Sequence, residues 1–156
     1  MKIDFEKTLS GVEQMVRKSL LEDKMQQLPP TFFLWGSGDN ADICICPWRD
    51  EQEKVFMLEM IRMRARNINA THFCFAAESW LVVRDSKEKV GKLTPAEEPD
   101  RKECVYILVS DGFTSKMRHL MIKRSEAGEI EGLDVDQDRS GPVSGRFADI
   151  LPIAHA

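Results

Sequence analysis

A chain of 156 residues with 42% apolar content lies in the size range of one domain and can bury a core without metal or disulfide staples. Its formal net charge of -4, with 31% charged residues, lacks the basic excess that draws a chain to nucleic-acid phosphates, so nucleic acid is not the expected partner. No stretch approaches the roughly 20 consecutive apolar residues that span a bilayer, and residues 1–7 carry acids in place of a signal's apolar centre, so a cytoplasmic protein without membrane association is expected.

Along the chain, Phe5, Leu9, Val12, Val16 and Leu20 recur at spacings of three and four and predict an amphipathic helix over residues 4–28, ended by Pro29 and Pro30. Residues 31–35 and 43–48 are rich in β-branched and aromatic side chains, and the Gly36-Ser37-Gly38-Asp39-Asn40 run between them predicts a hairpin. A second helix is predicted over residues 50–68, with Val55, Leu58, Ile61, Ala65 and Ile68 on its buried face. Acids in its first turn and arginines in its last suit the helix dipole. Residues 71–83 are apolar on both alternate faces at their start, the pattern of a central strand covered on both sides. Residues 85–101 are charged, contain Pro95 and Pro99, and predict a long surface loop. Strands follow over 103–109 and 117–124, separated by the Asp111-Gly112 turn, with another turn at Ala127-Gly128.

These elements predict an α+β fold in the order αββαβββ, a mostly antiparallel sheet of about five strands with both helices on one face. Residues 1–132 form the expected single domain, and 133–156 an irregular C-terminal tail, packed on the domain or partly disordered. The tail or a second copy of the chain would then cover the sheet's other face, which brings a homodimer into view.

Cys44, Cys46, Cys74 and Cys104 lie in apolar, β-prone runs and read as buried free thiols; their spacing does not make a zinc knuckle, and neither metal nor cofactor is expected. Glu78 interrupts the central strand just before Trp80. Desolvation there would favour proton transfer, whereas the structural reading pairs Glu78 with Arg101 or Arg84. If the next strand pairs alongside, Glu78, Asp100 and Glu103 are the candidate acids for a metal or for divided acid and base roles. Glu103 is followed by Cys104 and Val105, not by the lysine of a PD-(D/E)xK nuclease. The Asp134-Val135-Asp136-Gln137-Asp138 run opens like an EF-hand loop, but Arg139 and Gly145 stand where glycine and a bidentate glutamate are required. The histidines His72, His119 and His155 are scattered, with no partnered nucleophile. Trp35, Trp48 and Trp80 sit at predicted strand ends, where an aromatic ring with one polar edge suits a partner; with Arg101 they are the candidate binding residues. Lys116, Arg118, Lys123 and Arg124 form a basic stripe that reads as a solvated strand edge.

The run Phe75-Ala76-Ala77-Glu78-Ser79-Trp80, with Pro95, Pro99-Asp100-Arg101 and Glu103 after it, resembles a group of small uncharacterised bacterial and phage proteins. In that group a Glu-(Ala/Ser)-Trp strand precedes a proline-containing loop and an Asp-Arg-x-Glu segment. The resemblance implies the α+β plan and a bacterial or phage origin, and brings no activity with it.

No complete catalytic motif is present, so the expected function is non-catalytic: an adaptor or inhibitor binding another protein through the sheet edge, the 85–101 loop or the exposed tryptophans. The alternative is a small metal-dependent hydrolase using Glu78, Asp100 and Glu103.

Overall fold

The computed structural model describes residues 3–81, 101–142, 147 and 149–152. Asp4 caps the first helix, α1 (Phe5–Arg17), by accepting a hydrogen bond from Lys7 N at 3.1 Å. A π-helical turn (Lys18–Glu22) carries Leu20 into the core, after which Lys24 enters the left-handed region at φ 55°. The helix therefore stops well short of the predicted residue 28, because the chain has turned before it reaches Pro29.

Strands β1 (Thr31–Trp35) and β2 (Ala41–Ile45) form the predicted hairpin, Thr31 opposite Ile45 and Trp35 opposite Ala41. Pairing with β1 begins at Ala41, two residues earlier than predicted, and β2 ends before Pro47, which has no amide hydrogen to give. Gly36 closes the junction between β1 and the hairpin turn. A Cβ there would lie 2.0 Å from Ile68 O, so only glycine admits this approach.

The second helix, α2 (Glu51–Asn67), starts at Asp50, whose Oδ1 accepts from Glu53 N at 2.8 Å. Leu58, Ile61 and Ala65 are buried as predicted, while Val55 is exposed because it sits off that stripe. Strands β3 (His72–Leu81), β4 (Lys102–Ser110) and β5 (Thr114–Arg124) follow. Gly112, at φ 91°, makes the β4–β5 turn, and Asp111 Oδ1 accepts from the amides of Phe113 and Thr114, both at 2.9 Å.

The fold is α+β with a mostly antiparallel sheet, larger than predicted: seven strands in the order β2-β1-β3-β4-β5-β6, with β7 also on β5. Strands β6 (Ile130–Val135) and β7 (Arg139–Pro142) correct the expectation of an irregular tail, since β6 crosses the expected boundary after residue 132. They pair with successive halves of β5, Val135 opposite Leu120 and Arg139 opposite Met117. Residues 136–138 face only Arg118 and His119, which makes a bulge with one extra residue. Short apolar runs broken by Asp and Gly concealed these strands from a periodicity reading.

The placement of both helices on one face is also corrected. Leu9, Val12, Val16 and Leu20 pack on Phe33, Cys74 and Ile107, whereas Leu58, Ile61 and Ala65 pack on Phe32, Phe73 and Phe75. Neighbouring strand residues point to opposite faces, so α1 and α2 cover opposite sides of the sheet. Strands β2 and β3 are both antiparallel to β1 and flank it, so they run parallel to one another and α2 is a crossover connection. The crossover occupies one face and leaves the other to α1. Ile150 and Leu151 join the α2 side of the core.

Candidate functional site

Pairing of β3 with β4 sets Trp80 opposite Glu103 and Glu78 opposite Val105. Alternation from Ala76 places Glu78 and Trp80 on the α1 face, where they line a pocket of about 250 Å³ with Glu103 and Ile122. Three of the predicted residues thus meet at one end of the sheet, and the guanidinium of Arg101 lies 4.7 Å from the Trp80 ring centre, a cation–π contact. Asp100 and Arg84 lie outside the described residues, as does the 85–101 loop up to Arg101.

The two described carboxylates are engaged. Glu78 Oε1 accepts from Leu28 N at 2.9 Å, and Glu103 receives both Nε and Nη2 of Arg124, at 2.7 and 3.1 Å. The same arginine donates through Nη1 to Gly128 O at 2.9 Å, and its hydrogen bond to Glu103 is the first cause that raises its pKa above the ordinary guanidinium value. A carboxylate held by a forked arginine is a weak metal ligand and a poor base until the pair opens. Among the described residues, no three His, Cys, Asp or Glu converge as a metal site would require.

Of the tryptophans, Trp48 stacks on Phe75 at 6.2 Å with Lys54 Nζ 5.3 Å from its ring, and Trp35 stacks on His72 at 4.9 Å. Both are half-buried packing residues, whereas Trp80 is 40% exposed. His72 Nδ1 is 3.0 Å from Thr71 Oγ1, and Cys74 lies fully buried beneath α1, where desolvation pushes its thiol far above the ordinary range. No thiol–imidazole pair forms there.

The basic stripe of β5 is matched by acids. Arg118 bonds Asp138, Glu6 and Glu13, Lys116 bonds Glu6, Lys123 meets Asp134 at 2.7 Å and Arg124 holds Glu103. Little of this charge is left for phosphates. Among the described residues, no helix is long and apolar enough to cross a membrane.

Residue patterns had not singled out the outer edge of β2, which pairs with no strand among the described residues. Gly36 N donates to Asn40 O at 2.8 Å and Cys46 N to Pro30 O at 2.7 Å, so the even-numbered residues of β2 exchange hydrogen bonds with β1. By the alternation of an antiparallel ladder, the N–H and C=O groups of Ala41, Ile43 and Ile45 point outward from the sheet. Their side chains share the α1 face with Phe33, and Ile43 and Ile45 are 56% and 63% exposed. Together with Met15, Met25 and Leu28 they line an apolar groove of about 190 Å³. The alternation of Ile43 and Ile45 with Cys44 and Cys46 was the available signal: two apolar faces on a short hairpin strand, with no charge on the outer one.

The opposite edge is built differently. Strands β6 and β7 also expose Val135, at 51%, but they surround it with Glu131, Asp134 and Arg139 and carry the bulge at residues 136–138, devices that block pairing with another chain. No family model, curated protein or solved structure matches the chain.

Proposed function

We propose that this is a non-catalytic interaction protein, an adaptor or inhibitor, that holds another protein along the open edge of β2. The contrast between the two sheet edges carries the reading: one is charged and bulged, while the other, among the described residues, presents unpaired backbone and two exposed isoleucines. Strand addition at such an edge takes affinity from main-chain hydrogen bonds and selectivity from alternate side chains, for which the groove between Met15 and Ile43 is suited. Trp80 beneath Arg101 supplies a second exposed anchor on the same face. The hydrolase reading through Glu78, Asp100 and Glu103 gains less support, because Glu78 and Glu103 are already hydrogen-bonded within the fold.

Affinity capture with folded wild type, Ile43→Lys and Trp80→Ala tests the assignment. A bound protein kept by Trp80→Ala and lost by Ile43→Lys is expected. Loss in Trp80→Ala alone would move the surface to the Trp80–Arg101 patch, and no bound protein, including a second copy, would remove the interaction reading.

A further inference from the structure

We infer that the occupant of the β2 edge is a second copy of this chain, paired antiparallel with Ile43 opposite its own counterpart; this rests on the interaction reading above and names its partner. A two-fold axis through Ile43 is the register in which all five residues of β2 overlap, with Ala41 facing Ile45 of the copy. It joins outward-pointing amides to outward-pointing carbonyls and sets only apolar side chains against one another on the α1 face. A slip that centres the axis on Asp42 would put two aspartates directly opposite. Charge thus disfavours that slip, and the full overlap of β2 favours the axis on Ile43 over the others. At the β6–β7 edge, self-pairing would bring exposed acids and a bulge together.

The opposite face extends the surface. Arg64 of α2 donates to Asp42 of β2 through Nε and Nη2, at 2.7 and 2.8 Å, so this side of α2 lies along the β2 edge. Phe56 and Met60 precede Arg64 at four-residue intervals on the same helical ridge, and Phe56 and Met63 are 68% and 56% exposed. Pairing of β2 with its copy brings the two α2 helices together over the joined sheet. Complete burial of Met15, Ile43, Ile45, Phe56 and Met63 would remove at most roughly 600 Å² per copy and about 1,200 Å² for two, the lower limit of stable specific interfaces.

Light scattering across a concentration series, on the full chain, reads the stoichiometry. Wild type is expected at twice the chain mass and Ile43→Lys at the chain mass, because the axis would set two lysines face to face and weaken association about 30-fold or more. Ile43→Cys under mild oxidant should give a covalent dimer, since bonded antiparallel pairs place Cα atoms about 5.5 Å apart, within disulfide reach. The wild type, whose four cysteines are buried, is the control. A dimer that survives Ile43→Lys and leaves Ile43→Cys uncross-linked overturns the proposed interface. A monomeric wild type that still binds another protein through Ile43 overturns self-pairing and leaves the interaction reading, whereas a monomer that binds nothing removes both.

Discussion

Arg118 and Asp138 meet through two parallel hydrogen bonds, Nε to Oδ1 at 2.9 Å and Nη2 to Oδ2 at 2.8 Å, across the bulge that joins β6 to β7. The arginine side chain is only 8% exposed and also reaches Glu6 and Glu13 of α1, so one residue ties the first helix to the far edge of the sheet. Removing it leaves Glu6, Glu13 and Asp138 with only Lys116 and Arg17, among the described residues, to balance them. Arg118→Met should cost about 3 kcal/mol in urea unfolding, the low end for a broken buried pair because Glu6 and Asp138 keep access to water. Arg118→Lys should recover part of this, since lysine keeps the charge and loses the fork. A loss below about 0.5 kcal/mol, the scale of an ordinary surface site, would show that the network does not hold α1 in place.

His119 lies within the sheet's α2 face, only 6% exposed, with Nδ1 unpartnered among the described residues and its ring 5.5 Å from Tyr106. Burial lowers its pKa, Arg139 adds to this and Asp136 opposes it, while burial pushes the Tyr106 hydroxyl up to about 12 and keeps it neutral. Between the folded pKa and the ordinary value near 6.5, the unfolded chain binds more protons than the folded one, so stability rises with pH. The contribution is complete above that value and is lost as pH falls from it toward the folded pKa. Urea midpoints should fall between about pH 7 and pH 5, and His119→Phe should flatten the slope. The slope that remains belongs to His72, lowered by burial against the opposing Asp111. Glu6 and Asp138, lowered chiefly by hydrogen bonds to Lys116 and Arg118 respectively, act only below their ordinary values of 4.5 and 3.8. An unchanged slope in His119→Phe would place the coupling elsewhere.

The α+β plan, both helices and the first hairpin were legible because periodicity, caps and turn residues act over a few neighbours. The side of the sheet that each helix takes was not, since it follows from β2 and β3 flanking β1, a long-range fact. Nor were β6 and β7, whose support is β5 and the Arg118–Asp138 bond, not their own composition. The sequence set Glu78 beside Glu103 only on the condition that their strands pair, and it had no means of finding the hydrogen-bond partners of the two acids, Leu28 N and Arg124, which lie 50 and 21 residues away. The β2 edge was missed because edge status is a property of the sheet, not of the strand.

Cys44, Cys46, Cys74 and Cys104 are all buried. Burial is the first cause that holds Cys46 and Cys104 up to about 11, with Cys44 adding to the effect at Cys46, and it raises Cys74 further. The thiolate is the reactive form, so labelling by an alkylating reagent at about pH 8 should run about 100-fold or more slower than for a free thiol, and at the ordinary rate in denaturant. One cysteine labelled rapidly in the native protein would show that its strand opens to solvent.

Gly36 and Gly38 test two different demands of the same hairpin. At Gly36 the obstacle is contact: a Cβ would sit 2.0 Å from Ile68 O, backbone at the C-terminal cap of α2, which cannot swing aside as a side chain does. At Gly38 space is open and the obstacle is conformation, φ 67°, which an L side chain adopts at a cost of roughly 1 kcal/mol. Gly36→Ala should therefore lose about 3 kcal/mol by forcing the hairpin away from α2, and Gly38→Ala about 1 kcal/mol. The larger loss should carry a second effect, because the shift that accommodates the added methyl group moves β2 relative to α2 and strains the Arg64–Asp42 bond beside the free edge. Association read by light scattering should thus weaken in Gly36→Ala and persist in Gly38→Ala. Equal losses in the two variants would show that the close approach to Ile68 does not set the position of the β2 edge.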